Sequence, residues 1–244
     1  MLRRLLSLTT LFVSLAAAAG FPWDKPSDQW TESDVFRILR DSPWSPTKFS
    51  LESDYSQRRT DSQSGVVSDS RVQTHDNAVV PGIKISRAHP LPAVTVLWWS
   101  SRTIRLAEGK RLGSRQRGGS AKEAIDTAEL PDYVLAVEGD EPLRILRDAR
   151  EDLHDTVFLE LENGGTLDFT SVKFVEDGSA ETLRTEFHFS RWLDDQPAID
   201  SDSERVILHC RANARKDLPG RSNSLSFRVE FSPRAMKVRG QPDL

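Results

Sequence analysis

Three segments near the C-terminal end alternate apolar and polar residues strictly, and they constrain the fold more than any other feature. Leu183, Thr185, Phe187 and Phe189 interleave with Arg184, Glu186, His188 and Ser190. Val206, Leu208, Cys210 and Ala212 interleave with Ile207, His209 and Arg211, and Leu225, Phe227, Val229 and Phe231 with Ser226, Arg228 and Glu230. Successive side chains of a strand point to opposite faces, so this period of two predicts strands with one face in a core and one in water. Such half-wet strands belong to antiparallel sheets. Val157 to Leu161 and Leu167 to Val175 read as two more strands, with turns at Gly164-Gly165 and Asp177-Gly178.

Upstream the pattern is mixed. Val94 to Trp99 reads as a buried strand and Tyr133 to Glu138 as another. Ser100 or Ser101 can cap a helix carrying Ile104, Ala107 and Leu112 and ending at Gly113. Ser120 with Glu123 predicts a second helix, stopped by Pro131, and Pro142 opens a third with Leu143, Leu146, Ala149 and Leu153 on one face. The fold class is therefore α+β. A short N-terminal helix leads into an αβ middle segment and then a C-terminal antiparallel sheet, a meander or half-sandwich. No repeat of fixed period is visible.

The N-terminal part divides differently. Residues 1–20 have the three parts of a secretory signal peptide: Arg3 and Arg4, an apolar run from Leu5 to Leu15, then small residues from Ala16 to Gly20. That run is too short to span a bilayer, which needs about 20 apolar residues. Residues 21–49 form a Trp- and Pro-rich clip around one helix, capped by Thr31 with Asp34 three positions on and stopped by Pro43. A helix of about ten residues is marginal alone, so Trp23, Trp30, Phe36 and Trp44 are the expected interaction residues, and the clip is expected to dock on the chain's own body rather than on another chain. Residues 50–92 read as a flexible linker, because Ser50 to Asn77 is rich in Ser, Asp, Gln and Arg. Residues 93–244 make a single α+β domain.

Composition removes several functions. With 33 basic and 37 acidic residues the net charge is -4, so bulk positive charge does not hold this chain on nucleic acid. The lone Cys210 excludes an internal disulfide and a multi-thiolate zinc site. No nucleophile elbow, HExxH, GxGxxG or phosphate loop occurs; Gly113 to Ser120 has loop-like glycine spacing but Gly119 where lysine belongs. No cofactor is expected. His188, His209 and Glu186 are the candidate metal ligands, since they share the polar side of their strands; the alternative is a solvated face with cross-strand ion pairs. Asp200, Asp202 and Glu204 have the alternate spacing of a calcium loop without its glycine, and read as a charged inter-strand loop. Arg102, Arg105, Lys110, Arg111, Arg115 and Arg117 form a basic stretch suited to an anionic surface, or to a solvated helix face.

Two motifs carry a resemblance. Trp30-Thr31-Glu32-Ser33-Asp34 with Ser42-Pro43-Trp44, and the closing Phe231, Met236 and Gly240, resemble a group of uncharacterised exported bacterial proteins; Trp98-Trp99-Ser100-Ser101-Arg102 is similar to them too. The resemblance implies export, to the periplasm or the medium, and a single-domain body, and implies no activity. The expected function is a non-enzymatic binding or envelope-associated module with an envelope or extracellular partner. The alternative is a hydrolase or metal-dependent enzyme assembled from dispersed His and acidic residues.

Overall fold

Eight strands join into one antiparallel sheet: β1 (Phe49–Leu51), β2 (Thr95–Trp98), β3 (Asp132–Glu138), β4 (Val157–Glu160), β5 (Thr166–Glu176), β6 (Thr182–Ser190), β9 (Val206–Asn213) and β10 (Ser224–Phe231). Between β6 and β9 the small hairpin strands β7 (Trp192–Leu193) and β8 (Gln196–Pro197) pair only with each other, as do β11 (Lys237–Val238) and β12 (Gln241–Pro242) near the C-terminal end. The helices are α1 (Glu32–Arg40), α2 (Arg102–Arg115) and α3 (Asp140–Asp148). The computed structural model describes residues 20–47, 49–51, 94–115, 128–176, 182–215 and 223–244. The signal-peptide reading of 1–20 lies almost wholly outside these residues, as do the helix expected at Ser120–Glu123, Arg117, and the linker beyond Leu51.

The sheet runs β1-β10-β9-β4-β5-β6-β3-β2. It curls until β2 at one edge reaches β10, next to the other edge, for the Trp98 ring lies edge-on to Phe231 with centroids 5.1 Å apart. Register shifts in β5 at Phe169/Ser171 and Val175/Glu176 fall midway across the sheet, and bulges of this kind bend a strand and increase its twist. The enclosed face is aromatic: Phe169, Phe187, Phe189, Tyr133, Trp98, Phe227 and Phe231 are all buried. Helix α3 lies against β3, β6, β9 and β10, strands from both halves, so Leu143, Ile145 and Leu146 close the interior.

β2 and the central residues of β3 are buried on both faces, which explains their continuous apolar runs beside the alternating strands. The second layer comes from α1 and α2, which pack on each other. Arg40 of α1 reaches Glu138 of β3 at 3.4 Å, which places α1 over the face carrying Ala136 and Val134.

The capping box at α1 is present: Asp34 N–H donates to Thr31 Oγ1 (3.1 Å), and Thr31 N–H donates to the Asp34 carboxylate (2.9 Å). Ser101 Oγ accepts from Ile104 N–H at 3.3 Å, so Ser101, of the two serines, is the local cap of α2. The helix runs past Gly113 to Arg115. The boundary of the linker also moves, because Ser50 and Leu51 pair with Arg228 and Phe227 as an edge strand. A stretch rich in Ser and Asp masks such a short strand, since three residues carry too little periodicity to register.

Candidate functional site

The clip binds its own body. Trp44 is fully buried, its main-chain oxygen accepts from Trp98 N–H on the edge strand at 2.8 Å, and its indole Nε1 donates to the Asp243 main-chain oxygen at 2.6 Å. Trp23 stands edge-on to Trp44 with centroids 5.4 Å apart, and Trp30 donates from its indole to Lys25 O. Burying a tryptophan removes 150–250 Å² from water, an upper-bound stabilisation of about 4–6 kcal/mol per ring. Phe36, on α1, is half-buried. The three tryptophans are therefore consumed inside the molecule rather than displayed to a partner.

Asp243 ties the other end of the chain to this seam. Its carboxylate accepts from Ser101 Oγ (2.8 Å), Arg102 N–H (2.8 Å) and Thr103 N–H (3.0 Å), filling orphan donors at the start of α2. A carboxylate at a helix N-terminus also meets the positive end of the helix dipole.

The expected metal ligands do not converge. His188 lies on β6 and His209 on β9, with β4 and β5 between them. At about 4.8 Å per strand step they are separated by far more than a zinc–nitrogen bond of about 2 Å permits. Among the described residues no group of three or more metal-ligating side chains assembles. The alternation identifies faces correctly but does not reveal strand order, and two strands fill the gap.

Each histidine joins a separate ion-pair row. His188 is buried, with Nδ1 3.4 Å from Asp132 and Nε2 3.7 Å from Glu186; Glu186 also accepts from Arg184 Nε at 2.6 Å. The Arg184 guanidinium lies 3.9 Å over the Trp99 ring. Burial alone raises the Glu186 carboxyl, but His188 and Arg184 outweigh it and hold the group below its ordinary value. His209 stacks on Phe158 at 4.6 Å and bonds Glu160 at 2.8 Å. That bond comes first in lowering Glu160, with the charges of His209, Arg205 and Arg228 adding to it. The sheet carries ion pairs, as the alternative to a metal site expects, but those at Glu186 run along β6 and only His188–Asp132 crosses to β3, and Glu186 and His188 are buried rather than solvated.

The basic stretch also separates. Arg105 is buried and donates to Ser100 O, Lys110 donates to Asp28 O and Trp30 O, and Arg111 pairs with Glu108. Arg102 remains exposed, and Arg115 ends the helix. Among the described residues, Arg102, Arg105, Lys110 and Arg111 do not form one basic surface, because the helix turns part of the run toward the clip.

One feature escapes the alternation analysis. Five tryptophans, Trp23, Trp30, Trp44, Trp98 and Trp99, are buried, while Trp192 is 61% exposed and Leu193 beside it 50%. They sit on β7, joined to β8 by Asp194-Asp195, both at positive φ (50° and 59°). The signal was in the phase: Trp192 shares the parity of Glu186, His188 and Ser190, the polar side of the preceding strand. The base of the hairpin is fixed by Ser190 Oγ, which donates to Trp192 O (2.7 Å), and by Ala198 N–H, which donates to Arg191 O (2.8 Å). Arg191 itself turns inward, donating to Leu130 O and Leu244 O with its guanidinium over the Tyr133 ring. Compared with known proteins, the chain matches no family model, no curated protein and no solved structure.

Proposed function

We propose that this is an exported, non-enzymatic binding module whose recognition element is the β7–β8 hairpin. The observation that carries the reading is the exposure of Trp192 in a chain that buries its other five tryptophans. A large ring left in water beside an exposed leucine gains by docking on a partner. Export rests on the pattern of residues 1–20.

Photo-crosslinking tests the binding role. A photoreactive side chain at Leu193, in protein produced in a Gram-negative host, is expected to give one discrete crosslinked species that Trp192→Ser abolishes. A ladder of weak products, unchanged by that substitution, overturns the reading. N-terminal sequencing of the same material is expected to start between about residues 18 and 22. Full-length chains in the cytosol reject export.

A further inference from the structure

Resting on the hairpin as the recognition element, we propose that its partner is a peptide segment pairing apolar with basic side chains. The hairpin presents Trp192 and Leu193 next to Asp194 and Asp195 at its tip, all four exposed. Neither aspartate has a hydrogen bond or ion pair among the described residues. The nearest basic neighbour in sequence, Arg191, spends its guanidinium on Leu130, Leu244 and Tyr133 and leaves the tip uncompensated. The acids of the following loop are different, since Asp202 pairs with Lys237 and Glu204 with Arg234.

The turn chemistry supports the same assignment. A two-residue hairpin turn with positive φ at both positions favours glycine, asparagine and aspartate, and this chain places aspartate at both. Asparagine would suit the same backbone, so what the two aspartates add at the tip is charge. An indole face attracts a cation through its quadrupole, and two adjacent carboxylates attract it by charge. Leu193 supplies contact for an apolar neighbour. A cationic residue flanked by apolar ones thus matches each group on the tip.

The six tryptophans make the test direct. With five buried, a change in fluorescence on ligand addition reports on Trp192. The full chain is titrated with a capped octapeptide of alternating leucine and arginine, with alternating leucine and glutamate, and with a neutral β-linked glucose hexamer. The Leu–Arg peptide is expected to give a saturable blue shift, absent in Trp192→Phe. Asp194→Asn with Asp195→Asn is expected to weaken it tenfold or more, as is raising the salt until the Debye length falls from about 10 Å to 3 Å. Absence of binding, equal binding by the Leu–Glu peptide, or no effect of the Asp substitutions overturns the proposal. A shift with the glucose hexamer alone overturns it in favour of sugar. If a discrete crosslink forms at position 193 while the Leu–Arg peptide fails, the hairpin remains the recognition element and only this partner chemistry is wrong.

Discussion

Trp44 and Asp243 are joined by a 2.6 Å hydrogen bond from the indole Nε1 to the main-chain oxygen, while the Asp243 carboxylate caps α2. One residue therefore holds both the clip and the first turn of a helix.

Asp243→Ala removes the acceptor of Ser101 Oγ and of two helix N–H groups. The expected loss is about 1–3 kcal/mol, typical of a cap whose partners are partly buried. Urea unfolding followed by circular dichroism measures it. Asp243→Asn, which keeps one oxygen, should fall between the two.

Trp44→Ala should cost more, about 3–5 kcal/mol, because it empties a fully buried ring site and strands Asp243 O. Trp44→Phe restores much of the volume without the donor and should recover part of that loss. A melting temperature equal to wild type for Trp44→Ala would mean the clip does not contribute to the stability of the body.

Much of this was legible beforehand. The Thr31–Asp34 box, a cap at Ser100 or Ser101 and the alternating strands follow from local spacing, which needs no knowledge of distant contacts. The separation of His188 from His209 was not legible, because period two assigns a face and says nothing of the order β9-β4-β5-β6. Asp243 was equally hidden. A residue that caps a helix more than a hundred positions away leaves no motif near that helix.

The pH dependence follows from Glu186. Its carboxyl is held below the ordinary 4.5 in the folded state. Its contribution to stability is therefore present above about pH 4.5, the unfolded value, and lost as pH falls through the lower folded value. Glu186→Gln should flatten the acid limb of a stability-versus-pH curve below that point. An unchanged limb would show that Glu186 is not coupled to folding.

Cys210 is buried on β9, and burial alone raises its thiol well above the usual range. A thiol-specific disulfide reagent at pH 8 should leave it unmodified in the native protein and label one thiol per chain in denaturant. Rapid labelling of native protein would place it at an accessible surface instead.

The bond between Trp44 and Asp243 also has a time attached to it. The partners are 199 residues apart, and ribosomes add about 5–20 residues per second. The clip thus emerges about 10–40 s before its lock does, and α2 waits comparably long for its outside cap. Throughout that interval the seam cannot close, and three tryptophans remain open to whatever meets the nascent chain. The delay orders assembly: every strand of the eight-stranded sheet has been made before the stitch between Trp44 and Asp243 can form.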